Sequence, residues 1–144
     1  MHIRALFPLA GYVYLCIIAA MDTERPVRWV ASSKRDFREF PDDVQDVMGY
    51  ALHLAQQGGQ HASTKPLKGF GGAGVVEIID DHQGDTFRTV YTVKFAEAVY
   101  VLHAFQKKSK QGKATPQADM DLIRTRLKSA EEHHRQHQTP RGTA

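Results

Sequence analysis

An α+β domain with the element order β-α-α-β-β-β-α, in which an antiparallel sheet packs on helices, is the fold class that the sequence predicts. Two parts of the chain repeat apolar residues every three or four positions, the spacing of an amphipathic helix. Three consecutive segments rich in β-branched and aromatic residues are joined by short connections, which favours antiparallel strands. The chain has 144 residues, of which 42% are hydrophobic and 24% charged, as expected of one soluble domain.

The first strand and the first two helices are indicated by local signals. "VRWVAS" (27–32) has the composition of a strand. Ser33 and Asp36 have the spacing of a capping box, which predicts that a helix begins there. A proline interrupts the apolar stripe that follows, so the pattern predicts two consecutive helices, at 33–39 and 41–56.

Three strands and a last helix follow a predicted loop over 58–73. The strands are expected at 74–80, 85–95 and 98–105, and the first two are joined by "DHQG", which has the composition of a hairpin turn. Thr115 is expected to cap the last helix, with Pro116 at its first position. The buried side of this helix is predicted to hold Met120, Ile123, Leu127 and Ala130.

The two ends of the chain differ in composition from the region between them. An uncharged, mostly apolar run over 5–21 is short for a membrane span and long for the apolar part of a signal peptide. A start at Met21, an export or anchor segment, and an additional packed element all remain open. We expect an apolar extension at 1–20, the folded domain at 21–134 and a polar tail at 135–144.

Several chemistries find little support in the sequence. Cys16 is the sole cysteine, so neither an intrachain disulfide nor a cysteine zinc site can form. The glycines of "GFGGAG" (69–74) precede a strand and open no helix, which argues against a dinucleotide site. The histidines of the last helix favour a solvated surface, since no further ligands converge with them in sequence. We therefore expect no metal and no cofactor.

Positive charge is concentrated after the last strand, although the formal net charge is only +3. Four lysines occur there without an acidic residue among them: Lys107, Lys108, Lys110 and Lys113. From composition, a solvated strand edge and a phosphate-binding groove are equally good interpretations.

Two further residues also have two interpretations each. Alternation along the middle strand places Arg88 on a more open face, opposite the side that carries Phe87 and Tyr91. Arg88 is then either a functional cation or a surface arginine paired with a carboxylate. His103 is either a buried histidine with satisfied hydrogen bonds or a catalytic group.

The sequence resembles the RelE/HigB-type toxins of type II toxin–antitoxin systems, specifically the phage-derived HigB-like family, over residues 27–134. "VRWVASSKRDFREFPDDV", "KPLKGFGGAGVVEI" and "YVLHAFQKKSK" ahead of "TP" carry the resemblance. It implies a RelE-like fold and a metal-independent endoribonuclease, an mRNA interferase that acts on ribosome-bound mRNA. In such enzymes the ribose 2′-hydroxyl attacks the adjacent phosphate and a cyclic phosphate product forms.

The resemblance implies roles for Arg88, Lys65, Lys68, Lys107 and Lys108, and the lysine cluster and the strand pattern add the other candidate site residues. A catalytic role is expected for Arg88, Lys68, Lys108 and His103. RNA binding is expected of Lys65, Lys107, Lys110, Lys113 and Tyr91. Related toxins carry a tyrosine after the basic stretch, where this chain reads "QGKATP". Tyr91 and His103 are candidates to replace it, and the proton-transfer group is left open.

The partners that the resemblance implies are mRNA, the ribosome and a HigA-like antitoxin with a helix-turn-helix domain. The toxin–antitoxin complex is expected to bind its own promoter DNA, in the cytoplasm and without a membrane. Two alternatives remain open. One is a gyrase-inhibiting, ParE-like toxin, and the other is a catalytically weak relative that mainly binds its antitoxin.

Overall fold

A computed structural model describes residues 24–107 and 115–137, which form five strands and three helices. The elements are β1 (Val27–Trp29), α1 (Ser33–Arg38), α2 (Asp42–Gln56), β2 (Thr64–Pro66), β3 (Val75–His82), β4 (Asp85–Thr92), β5 (Val99–Lys107) and α3 (Gln117–His137). The predicted extension at 1–20 and the lysines at 108, 110 and 113 lie outside the described residues, as does the tail from 138 onward.

The five strands form one sheet in the order β1-β5-β4-β3-β2. Antiparallel pairing of β3, β4 and β5 confirms the predicted α+β fold. Two details differ from the prediction. The sheet is mixed, because β1 pairs parallel with β5. The segment predicted as a loop over 58–73 contains β2, which pairs antiparallel with β3 and is too short to give a periodic signal.

Helices cover both faces of the sheet, whereas the sequence led us to expect them on one face. Helices α1 and α2 pack on one face, in a core that includes Met48, Phe87 and Tyr91. Helix α3 packs on the other, in a core that includes Val90 and Leu102. The side chains on both faces of β4 and β5 are therefore buried. We refer to the second side, marked by Val90 and Leu102, as the α3 face.

The hairpin between β3 and β4 fixes the register of the sheet. Gln83 and Gly84 both have positive φ, at 49° and 84°, which is the conformation of a two-residue type I′ turn. The predicted turn is thereby confirmed. Its geometry places Glu77 opposite Val90 and Arg88 opposite Ile79.

A β-bulge in β5 changes which side chains share a face. Val90 pairs with His103 and Tyr91 pairs with Val101, so Leu102 is the additional residue. Leu102 packs in the α3 core, and His103 contacts α3 as well. Strict alternation along β5 would place Val101 and His103 on one face, but the bulge shifts the strand by one residue and separates them.

The two residues predicted to cap helices have other roles. Ser33 lies inside α1, where its hydroxyl is buried and donates to the carbonyl oxygen of Val101 at 3.2 Å. The preceding Ser32 instead donates to the Asp36 carboxylate at 2.8 Å. Thr115 lies two residues before α3, and its hydroxyl oxygen accepts a hydrogen bond from Arg88.

Candidate active site

One row of residues crosses four neighbouring strands of the sheet. Lys65 of β2 pairs with Glu77 of β3, Glu77 pairs with Val90 of β4, and Val90 pairs with His103 of β5. Since Val90 packs against α3, the row lies on the α3 face. Arg88 lies two residues from Val90 along β4 and belongs to the same face.

A buried carboxylate lies at the centre of this arrangement. Glu77 is only 2% exposed, and Arg88 is 4% exposed. Arg88 Nη1 lies 3.2 Å from Glu77 Oε2, and Lys65 Nζ lies 3.5 Å from Oε1. Each oxygen of Glu77 thus faces its own cation, and the pairing compensates for the desolvation of the charges.

Arg88 is not on an open face, as the alternation had suggested, but is buried beneath the segment that leads into α3. Its Nη1 also donates to Thr115 Oγ1 at 3.1 Å. Arg88 is paired with a carboxylate, but the pair is buried, so Arg88 is not the surface arginine of the second interpretation, and its role as a functional cation stays a prediction. The pairing holds the guanidinium in one position and ties the start of α3 to the sheet.

Lys107 extends the same cluster at the end of β5. Its side chain is buried, with 9% of the residue exposed. Burial lowers the pKa of Lys107 below its usual range, and repulsion from Arg88 and Lys65 acts in the same direction. The negative charge of Glu77 opposes this shift. Lys107 therefore lies in the electrostatic field of the other three residues and releases its proton more readily than an exposed lysine.

A groove of about 540 Å³ opens beside Glu77, between β2 and the start of α3. We call it the basic groove; its lining residues are Lys65, Pro66, Leu67, Lys68, Glu77, Thr115, Gln117 and Met120. Lys65 and Lys68 are exposed at its rim. It combines cations, one carboxylate and an apolar surface in a space large enough for a small polar ligand.

His103 is buried away from the groove and its hydrogen bonds are satisfied. Its Nε2 lies 2.8 Å from Asp119 Oδ1, its Nδ1 lies 3.4 Å from an Arg126 nitrogen, and its ring stacks on Phe105. Burial lowers the pKa of His103, while the hydrogen bond and charge of Asp119 oppose the shift. Of the two interpretations left open for His103, the buried and satisfied histidine matches these contacts.

Tyr91 is not brought to the groove. It is 1% exposed and belongs to the core beneath α1 and α2, on the face opposite Arg88. Burial raises its pKa, and a hydrogen bond with the Thr64 side chain partly offsets that effect. A ring in this position has no surface for stacking on RNA.

Among the site residues predicted from the sequence, Lys65, Lys68, Arg88 and Lys107 lie around or beside one carboxylate. Sequence reasoning missed Glu77, Thr115 and Gln117. The sequence placed Glu77 within the strand expected at 74–80 and gave it no role. A signal was nevertheless present, because a glutamate in the middle of the apolar run "VVEII" is rarely buried unless it is paired.

The described part of the chain also lacks two kinds of feature. Within it, no helix has the length and apolar character needed to cross a membrane. Nor do three or more metal-binding side chains cluster anywhere in residues 24–107 and 115–137.

Comparison with known proteins gives one match. No curated protein and no solved structure matches the chain. The family described as "Phage derived protein Gp49-like (DUF891)" matches residues 35–128, which is more than half of the chain. The matched region extends from α1 into α3 and includes Glu77, Arg88 and Lys107. The chain therefore belongs to the Gp49-like family, which is associated with toxin–antitoxin modules.

Proposed function

We propose that this protein is the toxin of a type II toxin–antitoxin system, of the RelE/HigB type, and that it cleaves mRNA without a metal ion. Membership of the Gp49-like family supports the toxin assignment. The observation that carries the proposed cleavage is the Glu77 carboxylate held between Arg88 and Lys65 at the edge of the basic groove.

Cleavage by the 2′-hydroxyl needs three groups. A base removes the hydroxyl proton, an acid protonates the departing 5′-oxygen, and positive charge stabilises the phosphorane. Arg88 and Lys65 are suited to the last role because neighbouring strands fix their backbones before the substrate binds. Lys107 adds a third positive charge near Glu77, and a cluster of cations of this kind attracts a phosphate.

Glu77 and Lys107 are suited to the two proton transfers. The carboxylate of Glu77 accepts hydrogen bonds only and lines the groove, so it would serve as the base. Lys107 would serve as the acid, because it lies in the electrostatic field of Glu77 and Arg88, and because burial lowers its pKa and so makes the ammonium a better proton donor than an exposed lysine. In this assignment Lys107 takes the role for which related toxins carry a tyrosine.

The remaining basic residues would bind the RNA backbone. Lys68 lies at the groove rim, where its exposed ammonium can reach a phosphate next to the cleaved one. The lysines at 110 and 113 remain predicted RNA contacts, and the lysine at 108 remains a predicted catalytic residue. The proposed partners are ribosome-bound mRNA and a HigA-like antitoxin whose complex with the toxin binds its promoter, which implies a cytoplasmic location.

Induction in a bacterial host, followed by mapping of RNA ends, tests this function. We expect growth arrest and new ends within coding regions that carry 2′,3′-cyclic phosphates. DNA breaks with intact mRNA would contradict the proposal and support a gyrase-inhibiting toxin. Intact mRNA and intact DNA, together with binding to the antitoxin, would support a catalytically weak relative instead.

A further inference from the structure

We propose that the apolar part of the basic groove is a subsite for a nucleobase of the substrate RNA, and that Gln117 determines which base is accepted. The inference rests on the proposed function, because it concerns the nucleotide adjoining the cleaved phosphate. It assigns a role to Gln117, which neither the charge cluster nor the sequence patterns had singled out.

The floor of the groove is apolar although its rim is charged. Leu67 packs partly buried against the α3 core, and Pro66 and Met120 flank it. Lys65 and Lys68 lie on either side of this apolar pair in sequence. A nucleotide combines a flat apolar base with an anionic phosphate, so it matches an apolar floor beside cations better than a free phosphate does.

The chain that follows β2 is held in place next to the groove by contacts with β3 and with α3. The backbone N–H of Leu67 donates to the carbonyl oxygen of Val75 at 3.0 Å, which fixes the chain after β2. Further along, the Arg124 guanidinium lies 5.5 Å from the centre of the Phe70 ring. Gly69, between Leu67 and Phe70 in sequence, has a φ of 97°, a conformation that favours glycine, and it lies next to the Met120 and Arg124 side chains. The groove is therefore formed before any ligand binds.

Gln117 presents an oriented amide on the first turn of α3, at the groove. Its Nε2 donates to Asp121 Oδ1 at 2.9 Å, and Asp121 is bound in turn by Arg124 at 3.3 Å. Since a carboxylate only accepts hydrogen bonds, this contact fixes which end of the amide carries the nitrogen. The carbonyl oxygen and the second N–H then form an adjacent acceptor and donor, the pattern that reads a base edge.

The position and the volume of the basic groove agree with a nucleobase subsite. Glu77 lines the same groove as Gln117 and Met120, so a base on the apolar floor would belong to a nucleotide next to the reacting phosphate. A volume of about 540 Å³ lies within the usual range for small-ligand pockets, about 300–1,000 Å³.

The test is the cleavage pattern on a pool of RNAs of random sequence. The purified wild-type protein is compared with Gln117→Ala and with the matched control Gln136→Ala. Gln136 lies near the other end of α3 and forms the same kind of bond, from its amide to Glu132 at 3.0 Å. We expect a base preference at one position beside the cut of about tenfold in the wild type and the control, reduced to about twofold in Gln117→Ala.

Retention of the full preference by Gln117→Ala, or an equal loss in Gln136→Ala, would overturn the subsite. Titration with nucleoside 3′-monophosphates, followed by methyl NMR of Leu67 and Met120, separates this failure from that of the proposed function. Shifts of both methyl signals without RNA cleavage would retain the subsite and overturn the catalytic assignment. Shifts caused by the antitoxin but by no nucleotide would show that the groove binds protein instead.

Discussion

Glu77 interrupts a strand that is otherwise suited to burial, and its carboxylate meets Arg88 and Lys65 within 3.5 Å. A buried charge of this kind is stabilised only by its partners, and removal of one partner typically costs about 3–5 kcal/mol. Substitutions that keep shape and hydrogen bonding therefore separate chemistry from folding better than truncation to alanine. The same reasoning applies to Lys107, whose charge is also buried.

Replacement of Lys107 by arginine tests its role as the acid. Cleavage by the wild type should fall as pH rises through the pKa of Lys107, because the acid must be protonated and this pKa is lowered from 10.5. Arginine keeps its proton throughout, so Lys107→Arg should retain RNA binding, cleave more slowly and lose this alkaline limb. The measurement is the single-turnover rate between about pH 6 and about pH 10.

Lys128→Arg is the matched control, since Lys128 is exposed on α3 and does not line the basic groove. An alkaline limb that survives unchanged in Lys107→Arg would assign the acid to another group.

The sequence predicted the individual cations better than their arrangement. Arg88, Lys65 and Lys68 were identified through the family resemblance, and the structure places them with Lys107 around one carboxylate. The pairing of Arg88 with Glu77 depends on the register of β3 against β4, which the two-residue turn at Gln83 and Gly84 sets, whereas the sequence located the turn only within the four residues of "DHQG". Tyr91 was assigned to the RNA as a substitute for the missing tyrosine, although alternation along the strand had already placed it on the face opposite Arg88.

At the scale of elements, contacts between β5 and α3 hold the start of the helix against the sheet. His103 and Arg126 carry these contacts. Arg126 donates to the carbonyl oxygen of Leu102 at 3.0 Å and to Ser32 at 2.9 Å, so it joins the bulge to the chain before α1. His103 binds Asp119, one turn beyond Thr115 and its contact with Arg88. The position of α3 at the groove depends on this network.

His103 should make the stability of the fold depend on pH. Its pKa in the folded protein is lowered, mainly by burial, with Arg126 adding to the shift while Asp119 and Asp36 oppose it. The unfolded state then binds a proton more strongly, so stability should fall as pH decreases below about 6.5. His103→Gln should show less of this loss, measured as the free energy of unfolding in urea at about pH 7.5 and about pH 5.5.

The test compares the loss of unfolding free energy on acidification in the wild type with that in His103→Gln. The difference between the two losses isolates His103, because His133 also has a lowered pKa and is present in both proteins. An equal loss of stability on acidification in wild type and His103→Gln would contradict the prediction.

Apart from β2, the elements followed from the sequence, whereas the contacts between them did not. Apolar periodicity predicted α1, α2 and α3, and turn residues predicted the β3–β4 hairpin. The bulge at Leu102 has no sequence signal, since Leu102 and Val101 are both apolar and fit either face. The parallel pairing of β1 was likewise hidden, because three residues carry no information about direction.

At the scale of the whole molecule, the sheet is buried on both faces, and the basic groove opens at its β2 side where α3 begins. The groove therefore lies between the sheet, which holds the charged side chains, and the start of α3, where Thr115 and Gln117 are found. The Gp49-like match includes both parts. This architecture suits a toxin whose substrate binds across an edge rather than in an enclosed cavity.

Metal-free RNA cleavage by the Glu77–Arg88 centre is tested most directly with purified wild type and Glu77→Gln, incubated with RNA and a metal chelator. We predict that the wild type produces 2′,3′-cyclic phosphate ends and that Glu77→Gln is slower by about 10²–10⁴-fold, the usual contribution of a general base. Asp85→Asn, an exposed change in the same hairpin, should cleave like the wild type. Intact RNA with the wild type, or an undiminished rate in a folded Glu77→Gln, would contradict the central claim.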